Sequence, residues 1–174
     1  MIKFRDLTAD EIECRIQSVK ENGLVLLLYK NARCDMNILD ETVGPERWQR
    51  THEVINGNLY CNVTIDFDGK LVTKQDCGVE SNTEKEKGEA SDAFKRACFN
   101  WGIGRELYTT PFIWIPSDKC KITGGKCFDK FAVEKIKIED KKITGISIIN
   151  KSTNARCFVW TAEKKAEKKA DKKA

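Results

Sequence analysis

The chain is poor in the residues that most covalent chemistry uses. It has one histidine, three prolines and two methionines in 174 residues. The histidine, His52, falls inside a stretch that reads as strand, where a lone imidazole is usually structural, and no Ser or Cys has an obvious His partner. No G-x-x-x-x-G-K-[ST] loop is present, which argues against an ATP-driven recombinase or helicase. Gly102-Ile103-Gly104 is too short for a dinucleotide fingerprint and follows a helical stretch instead of preceding one. No apolar run approaches the ~20 residues of a spanning helix, so no membrane partner is expected. The start, MIKFRDLTADEIE, lacks the apolar stretch of a signal peptide, and the expectation is a cytoplasmic protein.

Cysteine is plentiful, with eight residues, but none is arranged as a ligand set. No pair has C-x₂-C spacing, and Cys120 and Cys127 have no His nearby, so neither metal nor other cofactor is expected. In an unexported chain with a full core these residues read as free thiols. Asp66 and Asp68 flank one strand end, beside a turn where Asp is common anyway, and make a weak case for a metal-dependent nuclease. The formal net charge is +4. The last thirteen residues, AEKKAEKKADKKA, hold six lysines against three acids, so the rest of the chain is close to neutral. Affinity for nucleic acid must come from a local patch, with a contribution from this tail.

Three regions are expected: a main body over 1–108, a smaller β-rich extension over 109–161, and a charged low-complexity tail over 162–174. Thr8 to Glu11 has the form of a capping box and opens a short helix. Cys14–Lys20 and Leu24–Lys30 read as strands joined at Asn22-Gly23, and Met36, Leu39 and Val43 place a helix over 33–43. Strands over 47–55, 59–67 and 71–77 are separated by Asn56-Gly57 and Asp68-Gly69, an antiparallel meander. After a polar loop at 78–86, Ala90, Ala93, Phe94, Ala97, Cys98 and Trp101 form the apolar stripe of a long helix over about 87–101. The extension offers a short edge strand between Pro111 and Pro116, then strands over 131–138, 143–150 and 156–160. The fold class is α+β: a β-β-β-α core, the meander packed by the long helix, with a short β extension.

The face of the long helix away from its stripe carries the one informative cluster. Lys95, Arg96 and Phe99 are i+3 and i+4 neighbours, and Phe99 is expected to point almost opposite the core. Two cations alone suit a solvated face. An outward Phe beside them suits either a subunit interface or a stacking platform for bases.

The segments NARCDMNILDETVGPERW and KGEASDAFKRACFNWGIGRELY, with the meander between them, resemble the Rad-fifty-two family of single-strand DNA annealing proteins. The resemblance covers residues 10–108 and is strongest to the phage, Sak-like branch, whose extension the 143–160 hairpin region also resembles. It implies a ring or filament of subunits that binds single-stranded DNA in an outer basic groove and anneals complementary strands without hydrolysing nucleotide. The setting it implies is homologous recombination and DNA repair, with a host or phage single-strand binding protein as a candidate partner. By resemblance Lys95 and Arg96 contact the DNA backbone, and Lys87 and Arg33 match further basic positions. Phe99 stands where eukaryotic members carry arginine, and Arg105 is the candidate replacement. Two alternatives stay open: a single-strand protector that does not anneal, and a nuclease.

Overall fold

Asn56 and Gly57 have φ of 51° and 79°, and Asp68 and Gly69 have φ of 53° and 92°. Consecutive positive φ values are what tight hairpin turns of the expected kind require. The computed structural model describes residues 2–79 and 85–162, and of 85–87 the backbone alone. The tail from 163 onward and the centre of the loop expected at 78–86 lie outside the described residues.

The chain opens with a 3-10 turn, Ala9–Glu11, then strands β1 (Glu13–Lys20) and β2 (Gly23–Tyr29) and helix α1 (Ala32–Val43). The meander follows as β3 (Trp48–Ile55), β4 (Asn58–Phe67) and β5 (Lys70–Cys77), and then helix α2 (Lys85–Trp101). A 3-10 turn, Arg105–Thr109, leads to β6 (Ile113–Pro116) and a second turn, Ser117–Lys119. The rest is a small hairpin of β7 (Ile122–Thr123) and β8 (Lys126–Cys127), then β9 (Phe131–Glu139), β10 (Lys142–Asn150) and β11 (Ala155–Thr161). The architecture is α+β with antiparallel sheets.

The meander β3-β4-β5 is a sheet of its own, and α2 packs across it. Cys61, Val63 and Ile65 of β4 are fully buried, as are Ala93, Phe94, Ala97 and Cys98 of α2. The period-2 face of one element thus meets the 3.6-period stripe of the other. Polar contacts fix the helix on the sheet: the Trp101 indole donates to the Val63 carbonyl at 3.0 Å, and Lys74 Nζ donates to the Asn100 carbonyl at 2.9 Å. His52 Nε2 sits 3.1 Å from the Ala90 carbonyl, which gives the lone imidazole a structural partner.

A second sheet has the order β11-β10-β9-β1-β2-β6. It draws strands from both sides of residue 108, because β6 pairs with β2 and Ala132 of β9 pairs with Glu13 of β1. The edge position of β6 fits its flanking prolines. The helix α2 begins at Lys85, two residues before the expected start at about 87, since a polar first turn needs no packing to be helical. All eight cysteines are unpaired. Burial pushes the Cys61 and Cys157 thiols up to about 11, so neither offers a thiolate at neutral pH.

Arg5 ties the N-terminal turn to α1 through Glu11 at 2.7 Å and Glu41 at 2.7 Å. The hydrogen bond from Arg5 holds the Glu11 carboxyl near 2, below its ordinary 4.5. A carboxyl lowered on folding contributes stability above its unfolded value and loses it as pH falls. Melting temperature should therefore drop between about pH 4.5 and 2, and Arg5→Ala should flatten part of that drop. The part removed is on the order of 1 kcal/mol, because Arg5 is partly exposed and screened. Parallel melts of the two proteins across this range check it, and identical acid limbs would contradict it.

Candidate nucleic-acid interface

Asp92, Lys95, Arg96 and Phe99 fall at i, i+3, i+4 and i+7 of α2, so they form one stripe along the helix. That stripe is one wall of a cleft of about 270 Å³. Leu28, Tyr29 and Lys30 at the end of β2 form a second wall, and Leu107 and Tyr108 close it from the 3-10 turn after α2.

The cations are not free. Lys95 Nζ stands 3.8 Å from Asp92, and Arg96 Nε stands 3.5 Å from Asp76. Neither contact is a hydrogen bond, and Arg96 Nε has no hydrogen-bond partner among the described residues. Both side chains keep partial exposure and lie off the buried stripe. They can turn from these loose ion pairs to an anion at small cost, since exposed pairs are worth at most about 1 kcal/mol.

Phe99 departs from the expected outward orientation: it is half-buried. The reason lies beyond the helix. Gly102 and Gly104 reverse the chain, and the turn at 105–109 folds back on the last helical turn. The Tyr108 ring then leans on Phe99 at 4.8 Å between centroids and 54° between planes. The Lys30 ammonium sits 4.5 Å from the centre of the same Phe99 ring. Gly104, with φ 73°, is required here, because a Cβ on it would stand 2.4 Å from Lys30 Cε.

Lys30 was not among the residues singled out from the sequence, and it organises the cleft. It is 2% exposed and forms an ion pair with Asp35, which is 0% exposed. Burial pushes the Asp35 carboxyl up to about 6, and the adjacent Lys30 charge holds it from rising further. Tyr108, 71% exposed, is the other missed residue. Its signal is the run Trp101 to Tyr108, in which two glycines follow a helix end and return an aromatic to it.

The remaining candidates are dispersed. Arg33 is exposed on the first turn of α1 and lines a separate cleft with Arg50 and His52. Glu13 lines that second cleft, accepting from the Tyr29 hydroxyl at 2.6 Å and the Asn31 amide at 2.8 Å. Arg105 caps the end of α2, donating to the Phe99 carbonyl at 2.6 Å and the Asn100 carbonyl at 2.9 Å. The side chain of Lys87 lies outside the described residues. Among the described residues no group of His, Cys, Asp and Glu could hold a metal ion, and no helix is long and apolar enough to cross a membrane.

No family model and no solved structure matches the chain. Two curated proteins do. The single-stranded DNA-binding protein DdrA of Deinococcus radiodurans is 34% identical over 99 residues, which cover 56% of this chain and 47% of that protein. The protein of the same name from Deinococcus deserti is 32% identical over 99 residues, covering 56% and 49%. The chain spans about half the length of the curated relatives it matches, and over that stretch it is similar to proteins named for binding single-stranded DNA.

Proposed function

We propose that this chain binds single-stranded DNA through the Lys95–Arg96 face of α2 and anneals complementary strands without nucleotide hydrolysis, as a cytoplasmic oligomer acting in recombination and repair. The observation that carries the binding reading is the cleft itself: two loosely paired cations and an exposed aromatic on one wall-to-wall surface, in a chain similar to single-stranded DNA-binding proteins. Cations serve the phosphates and release counterions, and an aromatic face serves the bases. The annealing step rests on the Rad-fifty-two resemblance together with a physical argument. Two single strands repel through their phosphates, and a protein that neutralises and orders one strand lowers both the repulsion and the entropy lost on pairing. No bond is made or broken, so no catalytic group is needed.

The test is the rate at which two complementary labelled oligonucleotides pair, with and without protein, in the absence of nucleotide and of Mg²⁺. Faster pairing supports annealing. Binding without acceleration replaces it with strand protection, and strand cleavage on adding Mg²⁺ replaces it with a nuclease. Light scattering at micromolar protein should return a mass well above that of one chain, and ~20 kDa would contradict the oligomer.

A further inference from the structure

Resting on the single-strand-binding reading, we propose that the cleft is a nucleobase subsite, in which one base per chain stacks on Tyr108 while Lys95 and Arg96 hold the adjoining phosphates. Phe99 then supports the platform and is not itself the stacking ring.

The exposure pattern points this way. Tyr108 is 71% exposed although it is aromatic and sits in the wall of a cleft. Phe99 has the Lys30 ammonium over its ring and Tyr108 tilted against it, so it has little free face to offer. Tyr108 has only the Phe99 contact among rings of the described residues, and most of its surface is open.

The platform is rigid, which keeps the entropic loss on binding small. The turn that carries Tyr108 is pinned on two sides. Glu106, fully buried, accepts the Leu7 N–H at 2.7 Å, and Thr109 Oγ1 accepts the Ile143 N–H at 2.8 Å. Beneath it, Phe99 is fixed by Lys30 and the close approach of Gly104.

Size and chemistry select the occupant. About 270 Å³ falls just below the roughly 300–1,000 Å³ of sites for drug-sized ligands, so the cleft admits one flat ring system and not a folded cofactor. The hydroxyl of Tyr29, on the opposite wall, is committed to Glu13, which raises the Tyr29 phenol to about 12 and leaves it neutral. Every base has a π-face, so stacking on Tyr108 carries no sequence preference of its own.

The test uses the full chain and two oligodeoxynucleotides of equal length, one normal and one with abasic sites throughout. Tyr108→Ala should weaken binding of the normal strand by about fivefold to a hundredfold, with Tyr108→Phe close to the parent. Both variants should bind the abasic strand as the parent does. A strand carrying 5-iododeoxyuridine should crosslink on irradiation to the peptide that contains Tyr108. Equal loss on both strands, no loss on either, or dissociation of the oligomer in Tyr108→Ala would overturn the subsite while leaving single-strand binding standing. Failure of the parent to bind either strand would overturn the functional reading itself.

Discussion

Asp35→Ala should lower the unfolding free energy by about 3–5 kcal/mol, the usual consequence of removing one partner from a buried ion pair. Lys30 cannot follow solvent when Asp35 is gone. Its stem is held beside Gly104, its ammonium lies over Phe99, and it is 2% exposed. The intact pair, by contrast, adds little net stability. The folded value of Asp35, about 6, lies above its ordinary 3.8. Such a group contributes stability that is full below 3.8 and lost as pH rises through about 6. At neutral pH the carboxylate is therefore ionised against its burial, and Lys30 offsets that cost. Replacing both residues with apolar ones of similar volume, Lys30→Met with Asp35→Leu, should come out near the parent or above it. Urea unfolding of the parent, Asp35→Ala and the double variant measures this. A loss of less than about 0.5 kcal/mol in Asp35→Ala, the size of an ordinary surface change, would contradict the account. Because Lys30 underlies Phe99, the same substitution should also loosen the cleft, and single-strand affinity should fall with stability.

The Lys30–Asp35 pair illustrates what a linear reading cannot reach. The two residues are separated by the start of α1, and their spacing matches neither a helical nor a strand period. The meander is legible for the opposite reason. Asn56-Gly57 and Asp68-Gly69 are local turn signals, and β4 alternates between them. The stripe of α2 is equally local. The Gly124-Gly125 pair is also a hairpin signal, and it marks the β7–β8 turn that the sequence reading passes over. Pairing of β1 with β9 is different, because Glu13 and Ala132 find each other only once the sheet is assembled. Phe99 shows the limit of a helical wheel. The wheel places a side chain against its own helix's stripe, and it carries no information about a chain that turns at Gly102 and Gly104 and lays Tyr108 on top. Lys95 and Arg96 are brought together on one cleft, while Arg33 and Arg105 project elsewhere or cap the helix.

Lys95→Ala combined with Arg96→Ala should leave the fold and assembly intact and remove most single-strand binding. Neither side chain is buried, and their acidic neighbours are half-exposed, so each change should alter stability by less than about 0.5 kcal/mol. Binding is another matter. Each phosphate contact contributes about 0.7 to the slope of log affinity against log salt on a single strand. Losing two should lower the slope by about 1.4 and the affinity by at least about tenfold at moderate salt. In an oligomer the same loss recurs at every chain along the strand. Phosphate contacts do not read bases, so the loss should be uniform across sequences. Uniform loss separates these two residues from Tyr108, whose effect depends on the presence of bases.

The most direct measurement is the affinity of the Lys95→Ala, Arg96→Ala double variant for a labelled single-stranded oligonucleotide, read by anisotropy over a salt series beside the parent. The variant is first matched to the parent in melting temperature and mass. Parent binding should weaken with salt, and the variant should bind at least about tenfold more weakly with a shallower slope. A folded, assembled variant that binds single-stranded DNA as tightly as the parent, with the same slope, would contradict it.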